Sequence, residues 1–101
     1  MRIVALSALR ECWRKHPDAE VPLRAWYAIA RRAIWRRPGE IKAAYRNASV
    51  IAGNRVVFNI KGNDYRLVVA VAYRFAALYI KFVGTHAEYD ATHAATVENQ
   101  T

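Results

Sequence analysis

The sequence predicts an α+β domain in which two helices pack on one face of an antiparallel sheet. In the first half of the chain, apolar residues recur every three or four positions, which is the period of an amphipathic helix. From residue 54 the period becomes two, in runs rich in β-branched and aromatic residues. The chain has 101 residues, which is enough for one domain and too few for two. Residues 1–101 are therefore expected to share a single core.

The first elements are a short strand and a helix. The run RIVAL at residues 2–6 is predicted as an opening strand, and Ser7 is a candidate N-cap for a helix that runs to about Lys15. Pro17 ends that helix, because proline does not continue the helical hydrogen-bond ladder.

The second helix has the clearest pattern in the sequence. Its apolar residues follow one another at i, i+3, i+4, i+7, i+10 and i+11 and form a single stripe. The stripe comprises Leu23, Trp26, Tyr27, Ala30, Ala33 and Ile34. Pro38 and Gly39 end this helix, and residues 39–46 offer one or two further helical turns.

The sheet is predicted from three period-two runs at residues 55–61, 65–74 and 78–84. Residues 62–64, Gly-Asn-Asp, form a strong turn between the first two runs, and residues 75–77 form a weaker turn before the third. The three runs therefore pair as an antiparallel meander.

A short C-terminal helix is predicted to begin near Thr85. Glu88 and Asp90 would cap its first turn, where carboxylates suit the helix dipole. Residues 91–101 are a candidate disordered tail.

Alternation divides the meander into two faces, provided that no bulge interrupts the strands. The predicted core face comprises Val56, Phe58, Ile60, Tyr65, Leu67, Val69, Val71, Tyr73, Ile80 and Phe82. The opposite face comprises Arg55, Val57, Asn59, Lys61, Arg66, Val68, Ala70, Ala72, Arg74, Tyr79, Lys81, Val83 and Thr85. Because its cations surround an amide, a phenol and small residues, this second face is predicted to form a shallow basic groove.

The charge balance indicates the class of partner. Sixteen Lys and Arg residues against eight Asp and Glu residues give a formal net charge of +8. Such an excess favours a polyanionic partner, with nucleic acid first and an acidic protein second. The single cysteine excludes an internal disulfide and fits a reducing compartment. The longest apolar run, Leu67 to Tyr73, is far shorter than the ~20 residues of a membrane-spanning helix, and no signal peptide is recognised. A cytoplasmic protein without a membrane partner is expected.

Four residues around the first turn and the end of the last strand carry groups suited to RNA cleavage. Lys61 and Arg66 flank the turn and are placed to bind one phosphate. His86 follows the last strand, where its imidazole would move protons to or from a ribose oxygen. Tyr89 would orient the substrate, donate a proton or stack on a base. Together these groups predict metal-free attack of a 2′-hydroxyl on the neighbouring phosphate.

Structural roles stay open for the same residues. A histidine at a strand end is often merely exposed, and Arg66 and Arg74 can form surface ion pairs of little energetic weight. The sequence has neither a metal-ligand spacing nor a glycine-rich phosphate loop. Neither a metal nor a cofactor is therefore expected.

Two strings in the second half of the chain resemble a known family. NRVVFNIKGNDYRLVVAVAYR is followed, at suitable spacing, by YIKFVGTHAEYD, so the resemblance covers residues 54–90. Both strings are similar to the HigB group of type II toxins, relatives of the RelE-type mRNA interferases. The resemblance implies a RelE/ParE-like fold and an endoribonuclease that acts on mRNA, normally in the ribosomal A site.

The resemblance also implies partners and site residues. The partners are the ribosome with its mRNA and a HigA-type helix-turn-helix antitoxin, through which alone the complex would bind operator DNA. The implied catalytic residues are Lys61, Arg66, His86 and Tyr89. The candidate RNA or ribosome contacts, which depend mainly on strand alternation, are Asn59, Arg74, Lys81 and Arg55.

Two alternative functions stay open. A ParE-like toxin that inhibits DNA gyrase by binding would share the fold and need no catalytic histidine. A basic nucleic-acid-binding module without activity would show steep salt dependence and no cleavage products. The GTHAEYD string favours the nuclease, because a passive electrostatic binder has no evident need for it.

Overall fold

A computed structural model describes residues 1–98 of the chain. Its helices and strands, in chain order, are β1 (Arg2–Val4), α1 (Ser7–Lys15), α2 (Glu20–Arg32), α3 (Pro38–Ala44), β2 (Ser49–Ile51), β3 (Arg55–Ile60), β4 (Tyr65–Ala72), β5 (Ala77–Thr85) and α4 (His86–Asp90). Short 3₁₀ turns occupy Pro17–Ala19 and Tyr73–Phe75. The predicted α+β class is confirmed. None of the helices within the described residues is both long and apolar enough to cross a membrane.

The strands form one sheet in the order β1-β5-β4-β3-β2. The predicted meander is confirmed, because β3, β4 and β5 pair antiparallel in sequence. Two short strands extend it at its edges: β1 pairs in parallel with β5, and β2 pairs antiparallel with β3. The strand β2 was not predicted, since its three residues are too few to show a period.

Helices α1, α2 and α3 cover one face of the sheet and close the core. Leu9, Leu23 and Ile41, one from each helix, are fully buried. The ring of Trp26 meets the ring of Phe58 edge-on, with 5.4 Å between centroids. Burial of side chains of this size contributes roughly 1.5–3 kcal/mol each. The predicted pairing of the helical stripe with the Phe58 face is confirmed.

The second helix ends earlier than its apolar pattern predicts. It stops at Arg32 rather than at Pro38, and Ala33 is extended. The amino group of Met1 donates to the carbonyl of Ala30 at 3.0 Å and to two further carbonyls of the helix end, which supplies a cation where the dipole favours one. Ile34 is consequently 65% exposed, so its assignment to the stripe was wrong, and Trp35 is buried instead.

A bulge in β5 reverses the alternation beyond its middle. Val68 pairs with Phe82 but Val69 pairs with Ile80, so one residue of β5 has no partner on β4. Val83 consequently packs against the core. Phe82 turns to the opposite face, so the predicted faces of both residues were wrong.

Candidate active site

A hydrogen bond ties the start of α4 to the turn between β3 and β4. The backbone N–H of His86 donates to the carbonyl of Asp64 at 3.0 Å. The predicted helix start is confirmed as a capping box: the Glu88 N–H donates to the Thr85 hydroxyl at 3.1 Å, and the Thr85 N–H donates to the Glu88 carboxylate at 2.8 Å. These bonds position α4 at the end of the sheet where β4 begins.

Gly84 leaves the room that this helix start needs. A Cβ built on Gly84 would lie 2.6 Å from Oε1 of Glu88 and 2.9 Å from Cζ of Phe82. Both distances are shorter than a non-bonded contact allows, so any larger residue displaces the capping carboxylate or the ring. Gly84 also pairs with Arg66 on β4, which places the cap directly beside that arginine.

Arg66 and Tyr89 meet on the face of the sheet that the three core helices leave open. The guanidinium carbon of Arg66 lies 5.8 Å from the ring centroid of Tyr89, within the range of a cation–π contact. Tyr89 also contacts Phe82, with 6.4 Å between the two ring centroids. Asn59 pairs with Arg66 across the β3–β4 ladder. An amide, a guanidinium and a phenol thus share one end of this face.

His86 stands exposed beside the same end. Its side chain is 46% exposed, and its Nδ1 lies 3.0 Å from Oδ2 of Asp90 one helical turn later. A carboxylate at this distance orients an imidazole. The sequence interpretation assigned Asp90 only to capping, although the i, i+4 spacing of the two residues carried the signal for this contact.

Lys61 does not join Arg66. It has a positive φ of 53°, which ends the strand alternation, and its Nζ lies 2.7 Å from Oδ2 of Asp18. The Tyr65 hydroxyl, on the core side, donates to the same carboxylate. The assignment of Lys61 to the Arg66 face was wrong, because its turn conformation directs the side chain towards the 3₁₀ turn before α2.

Asp18, Lys61 and Tyr65 shift one another's pKa values. Hydrogen bonds from Lys61 and then Tyr65 hold the pKa of the Asp18 carboxyl below its ordinary value. The bond to Asp18 raises the pKa of Lys61 and raises the pKa of Tyr65 to about 12. Asp18 was not predicted as part of any site, since nothing in its local sequence indicates a partner 43 residues away.

Arg55 and Lys81 lie under the last described residues of the chain, 91–98, which we call the closing segment. The Arg55 side chain is 10% exposed. Its Nη1 donates to the carbonyls of Ala94 at 3.1 Å and Val97 at 2.6 Å. The Glu98 carboxylate accepts from Nη2 of Arg55 at 3.2 Å and from Nζ of Lys81 at 3.0 Å. Lys81 and then Arg55 hold the pKa of Glu98 below its ordinary value.

The closing segment makes up residues 91–98 of the predicted tail. The remaining residues, 99–101, lie outside the described part of the chain. Beneath this side of the sheet, Val57 and Val68 are buried although they lie outside the main core cluster. The middle of the face is thus apolar and covered. The prediction of a shallow basic groove was wrong for this part of the face, because the closing segment bonds Arg55 and Lys81 there.

Arg74 lies apart from the other candidates. It falls in the 3₁₀ turn after β4, is exposed, and stacks on Phe75 with 5.9 Å to the ring centroid. Six strand positions separate Arg66 from Ala72 at the end of β4, or roughly 20 Å, and Arg74 lies beyond that end. The structure therefore places Asn59, Arg66 and Tyr89 together, carries His86 on the same helix as Tyr89, and leaves Arg74 at the opposite end of the sheet.

The cysteine and the possible metal ligands near the site give no further candidate groups within residues 1–98. A cleft of about 320 Å³ between α1 and β5 includes Cys12, but burial raises the pKa of this thiol to about 11, so it is protonated at neutral pH. Among residues 1–98, no cluster of three histidine, cysteine or acidic side chains is placed to hold a metal ion.

Comparison with known proteins identifies the family. The family model described as "HigB_toxin, RelE-like toxic component of a toxin-antitoxin system" matches residues 19–92. The chain belongs to the HigB toxin family. This match covers nearly three quarters of the HigB chain and confirms the resemblance drawn from its two strings.

Curated HigB relatives support the same assignment over most of the chain. The mRNA interferase HigB of Escherichia coli O6:H1 strain CFT073 is 25% identical over 92 residues, which cover 89% of each protein. The mRNA interferase toxin HigB of Escherichia coli K12 and the mRNA interferase HigB of Shigella flexneri are each 28% identical over 92 residues, covering 89% of this chain and 88% of the relative. The chain is thus the toxin of a toxin–antitoxin system, and its five-stranded mixed sheet is that of a RelE-like toxin.

Proposed function

We propose that this HigB toxin is an endoribonuclease that cleaves translated mRNA on the ribosome without a metal cofactor. The observation that carries the proposal is the contact of Arg66 with Tyr89 on the open sheet face, together with the exposed His86 one turn earlier on the helix that carries Tyr89. A guanidinium, an imidazole and an aromatic ring supply phosphate binding, proton transfer and base stacking. The relatives are named mRNA interferases, which supports the same activity.

In this mechanism Arg66 binds the scissile phosphate and stabilises the charge that develops on it. The ribose 2′-oxygen forms a bond to phosphorus while the bond from phosphorus to the 5′-oxygen breaks. The products are a 2′,3′-cyclic phosphate and a 5′-hydroxyl. The hydroxyl proton of the nucleophile is removed and one proton is delivered to the leaving oxygen. His86, oriented by Asp90, is assigned to this proton transfer because imidazoles exchange protons near neutral pH.

The remaining candidates are proposed to contact the substrate or the ribosome. Tyr89 holds Arg66 through its ring and offers a stacking surface for a base. Asn59 lies beside Arg66 and is proposed to bind the RNA backbone. Lys61 must exchange the Asp18 carboxylate for a phosphate to take part, and its 45% exposed side chain leaves that path open. Arg74, at the far end of the sheet, is proposed as a ribosome contact.

The partners follow from the same proposal. A HigA-type helix-turn-helix antitoxin would neutralise the toxin, and the complex would bind operator DNA through the antitoxin. The substrates, translating ribosomes with their mRNA, place the action in the cytoplasm. The net charge of +8 favours both the RNA and an acidic segment of the antitoxin as binding partners.

Expression in a bacterium with mapping of transcript ends tests the proposal. Wild-type toxin is expected to arrest growth and to cut messages within translated regions, whereas Arg66→Ala does neither. Arg37→Ala, which removes an exposed arginine on α3's N-terminal flank, is the matched control and is expected to behave as wild type. Unchanged growth and transcript ends with folded, antitoxin-free protein would exclude the nuclease.

The same experiment separates the two alternatives. Growth arrest that survives His86→Ala and is accompanied by DNA damage would identify a ParE-like gyrase inhibitor. RNA binding without any cut site would identify a passive nucleic-acid-binding module.

A further inference from the structure

The closing segment occupies a cationic position on the sheet face with oxygen atoms of its own. Arg55 is nearly buried and bonds two carbonyl oxygens, and the Glu98 carboxylate bridges Arg55 and Lys81. One anion held between a guanidinium and an ammonium is the arrangement in which proteins also bind a phosphate. The contacts of Glu98 therefore have the chemistry of a phosphate site filled from within the chain.

This position continues the face that carries the candidate active site. Arg55 and Asn59 point to the same side of β3, and Asn59 pairs with Arg66. The separation of Arg55 from Asn59 along the strand is roughly 13 Å. An extended single strand of RNA spans such a distance within a few nucleotides, so a strand bound at Arg66 is long enough to reach Arg55.

The segment is held by polar contacts that water and a competing anion can replace. The Glu98 side chain is 59% exposed, and the neighbouring Ala95 and Thr96 are exposed. Both ion pairs of the segment end on this exposed carboxylate, and ion pairs at exposed positions contribute little to stability. The cover over Arg55 and Lys81 is thus weak compared with the core on the other face.

We propose that Arg55 and Lys81 form a second phosphate subsite for the RNA backbone, which the closing segment shuts with the Glu98 carboxylate until RNA displaces it. This inference rests on the proposed function for the identity of the ligand, a single-stranded RNA. In the closed state the N–H groups of Arg55 donate to oxygen atoms of the segment. In the open state the same N–H groups bind a phosphodiester. The segment therefore lowers the affinity of the toxin for RNA.

Binding of an uncleavable RNA tests the subsite apart from the nuclease. The probe is a fluorescent oligouridine of about 10 nucleotides, a length suited to such sites, with 2′-O-methyl groups that remove the attacking hydroxyl. Fluorescence anisotropy then reports affinity at fixed salt for the full chain. Cleavage is absent from this assay, so a failed nuclease proposal and a failed subsite give different results.

Glu98→Gln keeps the size of the side chain and removes its charge. We expect it to bind the probe roughly 3- to 10-fold more tightly than wild type, because a competing ion pair is lost. Glu20→Gln is the matched control: it makes the same change of net charge at an ion pair with Arg24 on α2, on the helical side of the molecule. Equal affinities of the Glu98→Gln and Glu20→Gln proteins would overturn the proposal.

A double variant tests whether the gain in RNA affinity arises at Lys81. Adding Lys81→Met to Glu98→Gln removes one half of the subsite, and we expect the affinity to return to the wild-type value or below. A gain that persists in the Glu98→Gln/Lys81→Met protein would also overturn the proposal, since it would arise away from Lys81. Melting temperatures close to wild type establish that each protein is folded, as expected for changes at such exposed or half-buried side chains.

Discussion

The guanidinium of Arg66 lies 5.8 Å from the ring centroid of Tyr89, and this contact joins the sheet to the C-terminal helix. Arg66 belongs to β4 and Tyr89 to α4, so the contact forms only when the helix start is docked on the turn before β4. The contact makes the ring of Tyr89 part of the proposed phosphate-binding position. It therefore separates two roles for Tyr89, one that needs the ring and one that needs the hydroxyl.

Substitutions of Tyr89 distinguish those roles. Tyr89→Phe keeps the ring against Arg66 and Phe82, so we expect cleavage within about threefold of wild type, whereas Tyr89→Ala is expected to lose about 10-fold or more because stacking is lost. The measurement is kcat/KM on a translated message. Equal, large losses in both variants would show that the hydroxyl is the essential group.

The imidazole of His86 is expected to carry most of the proton transfer. His86→Ala should lower cleavage by roughly 10²- to 10⁴-fold, the usual contribution of a general acid or base. Asp90→Asn should cost much less, since its amide oxygen still accepts a hydrogen bond from Nδ1. Rates for both proteins, with melting curves as the control for folding, check this order. An Asp90→Asn protein as inactive as His86→Ala would contradict it.

Gly84 is expected to be intolerant of a side chain. Gly84→Ala brings a Cβ to 2.6 Å from the Glu88 carboxylate and 2.9 Å from Phe82, so the capping box or the ring must move. We expect a loss of about 1–3 kcal/mol in the free energy of unfolding and weakened cleavage, because α4 carries His86 and Tyr89.

Gly39 provides the matched control. No atom lies within 4 Å of a Cβ built there, and the residue is helical, so Gly39→Ala should leave the stability unchanged or raise it by up to about 1 kcal/mol. Denaturant unfolding and cleavage rates measure both variants. Equal stability of the Gly84→Ala and Gly39→Ala proteins would refute the steric account of the helix start.

The Asp18 cluster predicts a specific dependence of stability on pH. The pKa of Asp18 is depressed from 3.8, so its contribution is present above that pH and is lost as the pH falls through the lowered folded value. The pKa of Tyr65 is raised from 10.0 to about 12, so its contribution is present below pH 10 and is lost as the pH rises through 12. Asp18→Asn should therefore lower Tm by a few degrees between these limits.

Thermal melts of wild type and Asp18→Asn across pH check this window. The difference in Tm should shrink below pH 3.8 and again between pH 10 and 12. A difference that is constant from acid to alkali would show that Asp18 acts by packing and not by its charge.

Residue patterns within short stretches of the chain predicted the sheet meander and the start of α4. The meander follows from period two and the Gly-Asn-Asp turn, and the start of α4 follows from Thr85 and Glu88 at capping-box spacing. The contact of Arg66 with Tyr89 follows from these two elements, and the same helix carries His86.

Long-range contacts account for the parts that were not predicted. The carbonyls at the end of α2 accept hydrogen bonds from the amino group of Met1, and Lys61 pairs with Asp18 across the molecule. The bulge in β5 moves Phe82 and Val83 to unexpected faces, and no residue type in that strand marks it. Each case depends on a partner distant in sequence, to which a periodicity argument has no access.

The most direct measurement of the central claim is cleavage of a message in a reconstituted translation reaction. With active ribosomes, the wild-type toxin should cut the message inside its reading frame and leave 5′-hydroxyl ends, while Arg66→Ala should leave the message intact. Without ribosomes, the same message should stay whole. An intact message with wild-type toxin on active ribosomes, or identical cuts by the Arg66→Ala protein, would contradict the proposed site and its function.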